Sequence, residues 1–101
     1  MSKRVGLAVS ALGLCLMGAS LTVSASAIED KYNTTCFACH GTGAAGAPVA
    51  HDAKAWSPRL EKGMDVLVGS VKRGMGAMPP NGLCNDCSDE QFKGLIEFMV
   101  Q

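Results

Sequence analysis

Apolar positions fall into two regimes along the chain. From Val5 to Met17 they run almost unbroken; beyond residue 27 they recur at helical spacing in short stretches parted by glycine and proline. Ile28–Thr35 reads as a short helix running into a cysteine motif. Gly41–Val49, with three glycines and a proline, reads as a loop. Ser57-Pro58 reads as a helix start, Ser57 as the cap and Pro58 at the first position, with Gly63 ending that turn. Met64, Leu67, Val68 and Val71 fall at i, i+3, i+4 and i+7, followed by Lys72, Arg73 and a terminating Gly74. Gly74–Cys87 reads as irregular. Ser88-Asp89-Glu90-Gln91 forms a capping box ahead of Phe92, Leu95, Ile96, Met99 and Val100, again at helical spacing. No alternating run of strand length occurs, so the expected class is all-α.

The unbroken apolar stretch changes the domain picture. Lys3 and Arg4 precede it and Ala25-Ser26-Ala27 follows, the layout of a secretory signal peptide cleaved after residue 27. Serines, glycines and a threonine interrupt the segment, which weakens a retained membrane anchor as the alternative. Cys15 follows a bulky leucine, which is poor for lipoprotein processing, and reads as a leader residue. The expected organisation is a leader, 1–27, and one domain, 28–101. The leader takes two basic and no acidic residues from a chain with nine of each, so the domain carries an excess of two negative charges. That balance, with no basic stripe, argues against nucleic acid as a partner. A domain this short, with Tyr32, Phe37, Trp56, Phe92 and Phe98 as its aromatics, needs a staple, metal or cofactor to complete its core.

Cys36-Phe37-Ala38-Cys39-His40 supplies that need. C-x-x-C-H is the attachment signal for c-type haem: two thiols one helical turn apart reach the two vinyl groups of one porphyrin, and the next histidine offers an axial nitrogen. Two alternatives stand beside it. A bare C-x-x-C can be a redox dithiol, and Cys36, Cys39, Cys84 and Cys87 can build a four-cysteine zinc site; both leave His40 unexplained.

For the second axial ligand the best candidate is Met78, in Gly76-Ala77-Met78-Pro79-Pro80, where the prolines stiffen the backbone that aims its thioether. Met75 is the backup and His51 a rival. A His/Met pair leaves no open coordination position, which suits a carrier and not an enzyme. Cys36, Cys39, His40 and Met78 are therefore expected to line one cavity. Cys84 and Cys87 form a second C-x-x-C followed by serine; in an oxidising compartment they most simply form a disulfide, with a redox-active dithiol as the alternative.

These residues resemble a family. C-x-x-C-H near the start of the domain and G-A-M-P-P later are similar to class I c-type cytochromes. The run Met78-Pro79-Pro80-Asn81-Gly82-Leu83-Cys84-Asn85-Asp86-Cys87-Ser88-Asp89-Glu90, with Gly46-Ala47-Pro48 and Trp56-Ser57-Pro58-Arg59-Leu60, resembles the cytochrome c-five group of small bacterial electron carriers. The resemblance implies three to four helices and irregular loops wrapped around one covalent haem c, with the first and last helices crossing. It implies His40 and Met78 as iron ligands, the Pro48 carbonyl as acceptor for the His40 ring, and Trp56 and Arg59 near the haem propionates. It further implies a periplasmic single-electron carrier whose partners are redox proteins, such as a membrane-bound reductase and a terminal oxidase or other reductase. No small-molecule substrate is implied, and contact with a membrane surface would be weak. A fixed subunit of a larger respiratory complex is the alternative within the haem reading.

Overall fold

The computed structural model describes residues 24–101 and, ahead of them, Gly6 and Gly13. Apart from those two glycines, the expected leader lies outside the described residues except for its last four positions. Those four belong to a helix: Ser24 caps α1 (Ala25–Lys31) by accepting from the Ala27 amide, so the helix begins ahead of the expected Ile28 start. A π-helical turn, Tyr32–Cys36, and a last turn, α2 (Phe37–His40), continue it without a break. The wide turn has a local cause. The Thr35 hydroxyl donates to the Lys31 carbonyl at 2.6 Å, and the Thr34 hydroxyl donates to the Asp30 carbonyl at 3.0 Å and the Lys31 carbonyl at 3.2 Å. Side chains that bond back in this way loosen the backbone ladder and bend a helix.

The second helix corrects an expectation. It runs Ala53–Leu60 (α3) and not from Ser57, because the Asp52 carboxylate takes up the Lys54 and Ala55 amides and starts the helix five residues before Pro58. Pro58 therefore lies inside it, where its missing N–H leaves the Lys54 carbonyl without an i+4 donor. Met64–Arg73 (α4) and Asp89–Val100 (α5) follow the predicted pattern, α4 ending at Gly74 and α5 opening on a reciprocal Ser88–Gln91 capping box.

The core is where the first and last helices meet. Phe92, Leu95, Ile96 and Met99 of α5 are buried, as are Ile28 and Tyr32. Removing each such side chain from water contributes about 1.5–3 kcal/mol. By contrast α4 has no buried residue: Met64, Leu67, Val68 and Val71 are only half-buried. Two ion pairs tie the periphery to this core, Lys31–Asp86 at 2.8 Å and Lys72–Asp89 at 2.9 Å. Among the described residues there is no β-strand, and no helix is long and apolar enough to cross a membrane.

Two predictions follow from this packing. Gly74 has φ +82°, and a Cβ there would stand 2.8 Å from the Met78 carbonyl oxygen and 2.9 Å from the Pro80 nitrogen. Gly46 has φ +79° but open space around its Cβ position. Denaturant titration should show Gly74→Ala costing about 2–4 kcal/mol, strain plus backbone clash, and Gly46→Ala about 1 kcal/mol, strain alone. Equal costs would mean that the loop does not rest on Gly74.

The second concerns pH. The Lys31 ammonium hydrogen-bonded to Asp86 holds that carboxyl below its usual range. A lowered folded-state value adds stability above the unfolded value and loses it as pH falls through the folded one. The stability difference between the wild type and Asp86→Asn should be small but present near neutrality and vanish in acid; a difference independent of pH would show that the pair contributes nothing.

Candidate functional site

Between the α2 end, the 43–48 loop and the 75–83 loop lies a mainly apolar cavity of about 870 Å³, its open mouth included. Cys36, Cys39, His40 and Met78 all line it, with Pro48 and Arg59. The helix carries the first three. Its π-turn ends at Cys36, and Cys39 and His40 follow on α2, so two thiols and one imidazole share one wall. Both thiols are free and half-buried. Burial pushes the Cys36 thiol up, and the Thr35 hydroxyl pulls it partly back.

His40 is 7% exposed and held from several sides. Its Nδ1 lies 2.8 Å from the Pro48 carbonyl oxygen, which can only accept, so Nδ1 carries the proton. That leaves Nε2 with its lone pair free and without a protein partner. The Ala50 amide donates to the His40 carbonyl at 2.7 Å. Trp56 stacks against the imidazole, centroids 5.7 Å apart and planes 29° from parallel.

Met78 sits in a tight reversal. Met75 and Met78 exchange both backbone hydrogen bonds, each 2.9 Å, around Gly76-Ala77. Behind it Gly82 faces the Met78 methyl so closely that a Cβ would stand 3.0 Å away. Asn81, Gly82 and Leu83 all have positive φ, a left-handed turn that leads directly to Cys84. The Sγ atoms of Cys84 and Cys87 stand at bonding distance, with Cα atoms 5.4 Å apart.

Three further candidates are placed as follows. Trp56 does not line the cavity: its indole N–H is taken by the Val49 carbonyl at 2.9 Å, and the ring forms the layer behind His40. That leaves it no polar handle for a propionate. Arg59 does face the cavity, but its guanidinium also donates to the Ala55 carbonyl of its own helix. His51, the rival ligand, is exposed and turned to the end of α5, where its Nδ1 meets the Gln101 carbonyl oxygen. The four-cysteine zinc alternative fails on geometry: two of the four sulfurs are bonded to each other, and neither lines the cavity with Cys36 and Cys39.

Sequence reasoning missed Thr35, Gly82 and Leu83 as lining residues. Leu83 carries no pattern that marks it, since its place depends on a left-handed backbone unusual for a bulky side chain.

The donor set fits a c-type haem. The cavity is apolar, two free thiols flank it on one helical turn, and it presents a nitrogen lone pair and a thioether as soft, neutral ligands.

Comparison with known proteins agrees. The family model described as cytochrome c oxidase, cbb3-type, subunit III matches residues 23–99. Cytochrome c5 of Azotobacter vinelandii is 46% identical over 70 residues, covering 67% of this chain and 84% of that protein. A mono-heme ferrocytochrome c from Shewanella putrefaciens superposes with a TM-score of 0.67 at 56% identity, covering 71% of this chain and 89% of that one. The cytochrome in a crystallised electron transfer complex of nitrite reductase with cytochrome c superposes at 0.68 with 33% identity, covering 78% and 95%. With four helices arranged as in these structures, the chain belongs to the cytochrome c5 group of monohaem class I c-type cytochromes, which are electron carriers and not enzymes.

Proposed function

We propose that the protein is an exported, periplasmic single-electron carrier of a respiratory chain, with haem held through Cys36 and Cys39 and ligated by His40 and Met78. The observation that carries this reading is the convergence of those four side chains on one cavity, with His40 Nδ1 engaged so that only Nε2 is free. When bound, the haem supplies a one-electron iron couple.

The protein residues do the rest. Cys36 and Cys39 would hold the group covalently from one helix; burial pushes the Cys36 thiol up and the Thr35 hydroxyl pulls it partly back. Pro48 holds the His40 tautomer and ring. Met78, on a loop stiffened by Pro79 and Pro80, would supply the second iron ligand, and with both ligands in place the iron would offer no position to added ligands. The His/Met combination favours a higher reduction potential than two histidines would. Cys84–Cys87 stiffens the turn between the Met78 loop and α5; so short a ring contributes little loop entropy.

Exposed Ala44, Ala45, Met75, Ala77 and Leu83 give the cavity mouth an uncharged rim. Such a rim suits brief contact with redox proteins, a membrane-bound reductase on one side and an oxidase or other reductase on the other. The nitrite reductase complex of the structural relative is an instance of that kind of partner. Export is supported at the cleavage junction itself: Ser24–Ala27 are all exposed, and among the described residues Ile28 is the first buried one, so cleavage after Ala27 takes the cap and first residues of α1 without removing a described core residue. Permanent membership of a larger assembly is the second reading, favoured by the subunit description of the matching family model; coverage of 84% of the Azotobacter carrier favours the free form.

Denaturing electrophoresis of the periplasmic protein should give a band positive for haem peroxidase stain, with a mass beginning at Ile28. Cys36→Ser with Cys39→Ser should abolish the stain. A colourless wild-type protein would sink the reading.

Ligation by Met78 is tested separately. Met78→Ala should let carbon monoxide or cyanide bind the iron, and Met78→His should lower the reduction potential, while Met75→Ala changes neither. Spectra altered only by Met75→Ala would transfer the assignment.

A further inference from the structure

Residues 48–51 form a short segment that ends in a turn; every residue in it is bonded, and the bonds run in two directions. Towards the site, the Pro48 carbonyl accepts from His40 Nδ1 and the Ala50 amide donates to the His40 carbonyl. The Val49 carbonyl accepts from the indole that stacks on the same imidazole. In the other direction stands His51. Its backbone N–H donates to the Met99 carbonyl at 2.6 Å, and its ring Nδ1 lies 2.9 Å from the Gln101 carbonyl oxygen. The ring also meets Phe98 edge to face, centroids 5.2 Å apart.

The Met99 acceptor lies in the last turn of α5 and the Gln101 acceptor just beyond it, where the last carbonyls of a helix have no partner within it. His51 therefore caps α5 from another part of the chain. To do so it takes φ +69°, a backbone conformation uncommon for a residue with a Cβ. Local sequence does not force that conformation, since neither neighbour is glycine or proline; the contacts with α5 hold it.

We propose that His51 is a positioning residue for His40: clipped to the end of α5, it anchors the 48–51 segment that orients the His40 ring. This rests on the reading of His40 as the iron's histidine. Gln101 can only accept through its carbonyl, so His51 donates through Nδ1–H. The last turn of the best-packed helix thereby reaches the imidazole through one residue.

The test uses His51→Gly and His51→Asn in the haem-loaded protein. Glycine accepts a positive φ freely, so it keeps the backbone N–H bond and deletes only the ring. Asparagine tolerates the same backbone and restores a side-chain donor. Hydrogen exchange by NMR is read at His40 Nδ1–H, at the Ala50 amide and, as a control, at the Phe92 amide, which bonds Ser88 at the far end of α5. In His51→Gly the first two should exchange about fivefold faster, the ratio one lost hydrogen bond supports, with Phe92 unchanged. The reduction potential should move with them, and His51→Asn should restore all three readings.

Unchanged exchange at Ala50 and His40, or equal acceleration at all three sites, overturns the proposal. The Ala50 reading stands whatever ligates the iron, because that amide bonds the His40 backbone. An iron spectrum unaltered by His40→Met would instead count against the ligation reading.

Discussion

Gly94 lacks a side chain, and that lets α5 lie directly on Ile28; a Cβ at position 94 would stand 2.8 Å from the Ile28 Cδ1. This close crossing of the first and last helices is the constraint on which the rest of the structure hangs. Among the described residues most of the buried hydrophobic side chains lie on these two helices, and only Trp56 and Cys84 lie off them. α4 buries nothing completely, and α3 buries one tryptophan. A chain this small cannot form a second core, so its loops derive their order from attachment to the crossing.

The attachments are specific. One loop leaves His40 and is fixed at its far end by His51 on the end of α5. The other leaves α4 at Gly74, against which residues 78–80 pack, and returns through Cys84, which is 2% exposed and part of the core cluster. Asp86, just beyond, is paired with Lys31 of α1. Each loop thus starts and ends on the scaffold, and the side chains that line the cavity sit on segments with little freedom to wander. That is what a pre-formed site requires, since ligands placed from loose loops would have to be ordered again each time.

Residues with local signals were legible in the sequence. The C-x-x-C-H pentapeptide, the Ser88–Gln91 box and the α4 and α5 stripes all depend on spacing within one or two helical turns, and all three elements stand where expected. The α3 start was misread because Ser57-Pro58 is a valid cap motif, while the competing Asp52 cap gains two amides and lies next to the anchored His51. The Trp56 indole proton meets a carbonyl seven residues away, a contact no local pattern announces. The π-turn was invisible for a similar reason, since paired threonines are ordinary until their hydroxyls reach back to the carbonyls of Asp30 and Lys31.

The left-handed residues show where such reading ends and why. Ala45, His51, Asn81 and Leu83 have positive φ without being glycine. Left-handed backbone at a residue with a Cβ costs on the order of 1–3 kcal/mol and persists only where surrounding contacts over-determine it. Asparagine and histidine are modest exceptions; alanine and leucine give no hint in their own chemistry. All four lie in the two loops around the cavity or at their anchoring ends, and none lies on a helix of the crossing. Strain is therefore concentrated where ligand positions are set, and the helix crossing that offsets it is built from residues with good local propensity. The division explains why the scaffold was readable from spacing while the fine placement of the site was not.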